Sequence, residues 1–197
     1  QQFNNFYCYL NAFKVDKKEI EIYEGKNHLH DAVRLSIQKG ERCFITSNSK
    51  KLVEGMYESF TKAAPDKKFK LITSETGSDE DTRSFLKNIK TEILECDAVF
   101  SSPSIGTGID ITFPHNEQLI DVVYGFFDTN INTHFDIDQQ LARVRHPKAV
   151  RVWISPSRYR MKLTPEVIQQ ELLFGDKVSG IQYMLDRDGA YADQMDH

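Results

Sequence analysis

The sequence predicts an α/β fold: a mostly parallel sheet with helices on both faces, in three layers, followed by a C-terminal helical extension. Two observations carry this reading. Short apolar runs recur along the chain, "RCFITS" (42–47), "KFKLITS" (68–74), "DAVFSS" (97–102), "QLIDVVYGFF" (118–127) and "AVRVWIS" (149–155). Most are too uniformly apolar for strands with one wet face. Between many of them lie segments with apolar residues at helical spacing, long enough to return the chain to the start of a parallel neighbour.

The elements follow in order. "NFYCYLNAF" (5–13) and "EIEIYE" (19–24) read as lead-in strands, the second alternating charged and apolar residues. After a break at Gly25, residues 28–39 place Leu29, Val33 and Ile37 on one helical stripe, closed by Gly40. Asn48 or Ser49 can cap the next helix, which runs to about residue 63 with Leu52, Met56 and Phe60 apolar. A third helix is expected over 78–89, with Ser78 as N-cap and Asp79, Glu80 and Asp81 in its positive first turn. A fourth is expected over 137–145. After Ser157 the pattern is helical only, from Pro165 onward. The expected organisation is therefore lead-in strands over 1–25, an α/β lobe over 26–160 and a helical extension over 161–197.

Composition narrows the function. The 197 residues carry a formal net charge of −4, so nucleic-acid binding would need a local patch, or backbone amides and hydroxyls. Cys8, Cys43 and Cys96 are far apart, with no metal-ligand spacing and no disulfide framework, as expected of a reducing, cytoplasmic setting. The longest apolar stretch, 119–127, is interrupted by Asp121 and falls well short of the roughly 20 residues that cross a bilayer. The chain opens on Gln1 without a secretory pattern, and we expect it to be a piece of something longer.

The most distinctive stretch is "SSPSIGTGIDI" (101–111), a glycine loop following a predicted buried strand. Ligands of parallel α/β sheets sit beyond the strands' carboxyl ends. Gly106 and Gly108 would let backbone approach a ligand, and Asp110 could accept from a ribose hydroxyl or hold an arginine. A dinucleotide fingerprint would need glycine where Ile111 stands, and the one Gly-Lys pair, Gly25-Lys26, is followed by Asn27, so neither a Rossmann nor a P-loop reading holds. A turn with glycines for geometry alone remains open.

"DQQLARVRHP" (138–147) is the second feature. On a helix, Ile137, Leu141 and Val144 would face the sheet while Gln139, Arg143 and His146 face outward, with Arg145 on the flank and Pro147 ending the turn. An arginine so presented suits a phosphoryl group. An exposed, merely solvated helix is the plain alternative.

Taken together, three segments resemble the second RecA-like lobe of superfamily 2 helicases. "RCFITSNSKKLVEGMYESF" (42–60) resembles motif IV, "AVFSSPSIGTGIDI" (98–111) motif V, and "DQQLARVRHP" motif VI. The Arg-Val-Arg ending is most similar to herpesvirus-type origin-of-replication-binding helicases and related plasmid and phage replication proteins. The resemblance implies an ATP-dependent DNA helicase or translocase in replication. It implies that Arg143 is an arginine finger, Arg145 a second phosphate contact and Gln139 an orienting group. Gly106, Gly108 and Asp110 would line the nucleotide cleft. Ser47, Asn48, Ser49, Thr73, Ser74 and Ser102 would grip a nucleic-acid strand. ATP and Mg2+ would be held mainly by a partner N-terminal RecA-like lobe, because this sequence has no P-loop or acidic Walker strand, and the fragment alone is expected to be inactive. The implied nucleic acid is single-stranded or duplex DNA, with RNA also open. The sequence departs from the family at Ala142 (glycine), at His146 (the later arginine) and at Ser102-Pro103 (Thr-Asp). Two other readings stand beside it: a non-catalytic RecA-like module that binds nucleic acid or protein, and a nucleotide-sugar or methyl-transfer enzyme using the glycine loop.

Overall fold

The computed structural model describes residues 19–103, 109–128 and 133–157, together with residues 164, 166 and 169. The expected strand over 5–13, the loop glycines Gly106 and Gly108, and most of the expected C-terminal helix lie outside the described residues. The chain divides into two compact units, Gln1–Ser157 and Arg158–His197. In the second, Thr164, Glu166 and Gln169 are exposed.

The first unit is built on six strands, β1 (Ile20–Tyr23), β2 (Cys43–Ser47), β3 (Phe69–Ile72), β4 (Ala98–Ser101), β5 (Val122–Phe127) and β6 (Ala149–Ile154). They form one sheet in the order β1-β6-β5-β2-β4-β3, and every neighbouring pair is parallel. The α/β class, the parallel sheet and the helices on both faces are as the sequence predicts. The helices are α1 (Lys26–Gln38), α2 (Lys50–Ala63), α3 (Glu80–Lys87), the single turn α4 (Ile89–Glu92) and α5 (His134–Leu141).

Handedness explains which face each helix takes. The β1–β2 and β2–β3 connections cross the sheet in one direction, whereas β3–β4, β4–β5 and β5–β6 cross in the other. Right-handed crossovers then place α1 and α2 on one face and α3 to α5 on the opposite face. The two cores agree. Leu29, Val33, Val53, Met56 and Phe60 pack with Ile45, Phe100, Tyr124 and Phe126. On the other face Phe85, Ile89, Leu141 and Val144 pack with Phe44, Val99, Val123, Phe127 and Val152. Alternate residues of each strand thus feed opposite layers. Each fully buried phenylalanine here contributes roughly 1.5–3 kcal/mol.

Several local signals act as expected. Ser49 caps α2 by accepting from the Leu52 amide at 3.3 Å. Gly40 closes α1 at φ 79°, a conformation open to glycine. Glu80 and Asp81 occupy the first turn of α3, but its N-cap is Asp79 rather than Ser78, and α3 stops at Lys87. Exposed β1 is retained on the sheet edge through Arg151, which donates to Glu21 at 2.8 Å and to the buried Tyr124 hydroxyl at 3.1 Å. That hydroxyl donates to the Ala32 carbonyl of α1 at 3.1 Å and meets Ser36 Oγ at 2.8 Å, so the polar atoms of this core are bonded.

Candidate functional site

The expected helix over 137–145 is not what forms. A capping box starts α5: Thr133 accepts from the Asp136 amide, and the Asp136 carboxylate accepts from the Thr133 amide at 2.8 Å. The helix ends at Leu141, with Ala142 as C-cap. Arg143 therefore lies in the turn after α5, and Val144 pairs in parallel with Ile111 as an isolated bridge. The Ile111 amide donates to the Arg143 carbonyl at 2.8 Å, and the Arg145 amide donates to the Ile111 carbonyl at 3.1 Å. The chain returning from the glycine loop is thereby stitched to the arginine segment.

Close packing holds the end of α5 against β5. Gly125 in β5 faces Leu141; an added Cβ would lie 2.9 Å from Leu141 Cδ2 and 2.5 Å from Phe127 Cε2. Only glycine admits that approach without displacing a neighbour. One residue along from the expected Gln139, which is exposed, Gln140 is buried and accepts from Thr46 Oγ1 at 3.3 Å. Gln140 and Gly125 carried no sequence signal of their own. Each role depends on a partner distant in sequence.

Asp110 and Arg145 meet. Arg145 Nε donates to Asp110 Oδ1 at 2.9 Å, and Thr112 Oγ1 donates to the same oxygen at 3.0 Å. Burial pushes the Asp110 carboxyl up, but the Arg145 and Thr112 hydrogen bonds and the charges of Arg145 and Lys90 outweigh it and hold it below the usual range. Both partners are about half exposed, so the pair is worth little in stability. Arg143 is partly buried, and desolvation lowers its pKa while leaving it a cation. Beside Asp110 a groove of about 290 Å³ opens, walled by Lys87 of α3, Lys90 and Thr91 of α4 and Asn88 between the two helices.

The other expected contacts lie at the carboxyl ends of the central strands. The end of β2 is flanked by β5 and β4, whose onward connections leave for the opposite face from α2. Open α/β sheets leave a crevice at such a point. Most of the side chains there have internal partners. Ser47 is fully buried and accepts from the Ser49 amide at 3.0 Å. Asn48 donates to the Asp128 carbonyl at 2.8 Å and accepts from the Asp128 amide at 3.0 Å, extending β2 toward β5 like a ladder rung. Buried Thr73 exchanges bonds with Thr76: its amide donates to Thr76 Oγ1 at 2.9 Å. Ser102 is buried, and its amide donates to the Ile72 carbonyl at 3.0 Å. Ser74 is exposed. The structure therefore gathers Asp110, Arg143 and Arg145 in one place, and Ser47, Asn48 and Ser49 in another, at the end of β2.

Among the described residues, no group of three or more His, Cys, Asp or Glu could hold a metal ion, and no helix is long and apolar enough to cross a membrane. No family model and no curated protein sequence matches the chain. Solved structures that are similar in part include two helicases. The Hef helicase domain of Pyrococcus furiosus is 14% identical with a TM-score of 0.45, over 67% of this chain and 26% of that one. The RNA helicase Prp28 of Chaetomium thermophilum, bound to ADP, is 11% identical with a TM-score of 0.47, over 73% of this chain and 33% of that one. This chain thus spans about a quarter to a third of the structures it matches, and likeness at this level does not bear on function.

Proposed function

We propose that this chain is the C-terminal, RecA-like lobe of a superfamily 2 helicase motor. One observation carries the reading: the motif VI segment is tied to both other motif segments. Gln140 joins Thr46 of the motif IV strand, and Arg143 and Arg145 join Ile111 of motif V through backbone bonds. Three stretches distant in sequence meet as a functional unit of that kind requires, and the six-stranded parallel sheet suits it.

In this reading Arg143 is the finger. Its guanidinium donates to the γ-phosphate oxygens of ATP bound by an N-terminal lobe and offsets charge building in the transition state. Arg145, engaged with Asp110 through Nε, holds the motif V return in place and would contact phosphate through the Nη groups that this pair leaves over. Gln139, exposed on α5, would orient the attacking water or the finger. As the resemblance implies, ATP and Mg2+ would be held mainly by the other lobe. Gly106 and Gly108 would bring backbone close to the nucleotide. Exposed Ser74 and the Ser49 hydroxyl at the start of α2 would contact a nucleic-acid strand directly. The amides of Ser49, Thr73 and Ser102 and the side chain of Asn48 already have internal partners, so Ser47, Asn48, Thr73 and Ser102 would shape the turns that present that surface. The finer reading, a DNA helicase acting in replication, rests on the resemblance of the Arg-Val-Arg ending to origin-binding helicases, and a cytoplasmic setting rests on the scattered cysteines.

The test is nucleic-acid-stimulated ATP hydrolysis by the full-length protein. Arg143→Ala should leave ATP binding intact and slow hydrolysis by about 10³-fold or more. Near-normal turnover would remove the finger and favour the non-catalytic module. DNA and RNA cofactors in parallel assays identify the strand, and the isolated chain should show no turnover.

A further inference from the structure

On the sheet face that carries α1 and α2, a crevice of about 340 Å³ opens between the two helices. Its floor is apolar, formed by Phe126 and Met56, 1% and 4% exposed. Its walls present Lys26, Asn27 and His30 from α1 and Lys51 from α2. No lining residue is acidic. Of the carboxylates on the same helices, Glu54 lies 3.6 Å from Lys50 and Asp31 lies 3.7 Å from Arg34, while Glu58 is exposed on α2 outside the lining. The walls are partly fixed in place. The His30 ring packs on Phe60 with centroids 5.2 Å apart, and the Lys26 ammonium lies over Trp153 at 5.6 Å.

Gly55 is the independent clue. It sits inside α2, lines the crevice and has no positive φ. An added Cβ there would meet nothing within 4 Å, so no close approach demands glycine. Glycine weakens a helix interior relative to alanine or leucine. The consequence visible in the structure is open space between two lysines. We propose that this crevice binds a phosphate ester, carried either by a nucleotide or by a nucleic-acid strand. The ammonium groups of Lys26 and Lys51 and the side-chain amide of Asn27 supply donors to its oxygens. This site is distinct from the Asp110–Arg145 region and does not rest on the helicase reading.

The experiment is amide NMR on this chain at low salt, titrated separately with inorganic phosphate, a nucleoside 5′-monophosphate and a single-stranded oligodeoxynucleotide. Saturable shifts are expected at Lys26, Asn27, Lys51 and Gly55. Lys26→Ala combined with Lys51→Ala should weaken binding by about tenfold or more. Gly55→Leu should abolish binding by filling the crevice while leaving the melting temperature unchanged or raised, since leucine is the better helix former. Tighter binding of the oligonucleotide, with displacement of the monophosphate, identifies a strand as the source; equal or weaker binding identifies a free nucleotide. The proposal is overturned if none of the three ligands shifts these residues saturably, or if folded Gly55→Leu binds like the parent.

Discussion

Gly125→Ala tests the contact that positions the arginine segment. The added methyl would lie 2.5 Å from Phe127 Cε2 and 2.9 Å from Leu141 Cδ2, so neighbours must retreat by up to about 1 Å to reach ordinary contact. The tip of Leu141 can turn aside. The Phe127 ring is fully buried, and its recoil is passed to the core around it. Overpacking of this kind costs about 1–3 kcal/mol, while alanine in place of a strand glycine recovers about 0.5–1 kcal/mol of backbone entropy. The net expectation is a loss of about 0–2.5 kcal/mol, centred near 1 kcal/mol, which is about 2–4 °C in Tm for a chain of this size. Urea unfolding followed by circular dichroism measures it. Leu141→Ala alone should cost about 2–5 kcal/mol, and the double variant should lose less than the sum of the two by at least about 0.5 kcal/mol. A Gly125→Ala protein more stable than the parent, or strictly additive losses, would refute the packing contact.

Two further outcomes follow from the same geometry. Asp121 accepts from the Arg42 amide at 2.7 Å and from Lys148 at 2.6 Å; burial raises its pKa, but these partners outweigh burial and leave it lowered. A carboxyl depressed on folding adds stability above the unfolded value of about 4, and that stability is lost as pH falls through the folded value. Asp121→Asn should therefore cost about 1 kcal/mol at neutral pH and converge with the parent in acid, as urea midpoints from pH 7 to pH 3 would show; a constant offset across that range would contradict it. Asn48→Ala removes both bonds to Asp128 and should cost about 1–3 kcal/mol in thermal or urea unfolding, whereas weaker strand binding at unchanged stability would make Asn48 a ligand contact instead.

Much of the fold was legible because buried parallel strands announce themselves as unbroken apolar runs, and Ser49 and Gly40 are local signals with local causes. The end of α5 was not legible. Leu141 and Val144 are three apart and both buried, which one helical stripe explains as well as a helix followed by a bridge does. What decides is the Ile111 backbone, and nothing near Val144 in sequence announces it. Gln140 and Gly125 were missed for the same reason, since their partners are Thr46, Phe127 and Leu141 in other elements or further along the strand. The six residues expected to hold nucleic acid show a converse lesson. Hydroxyls and amides collect at strand ends whether they serve a ligand or the turn itself, and Ser47, Asn48 and Thr73 have partners in the turns.

In the proposed motor, Arg143 and Arg145, two residues apart, have different jobs. Turnover numbers of full-length Arg143→Ala and Arg145→Ala, at saturating ATP and nucleic acid, separate them. The expected result is a loss of about 10³-fold or more for Arg143→Ala and of less than about tenfold for Arg145→Ala, whose side chain is engaged by Asp110 at 2.9 Å. Equal losses, or the reverse order, would contradict it.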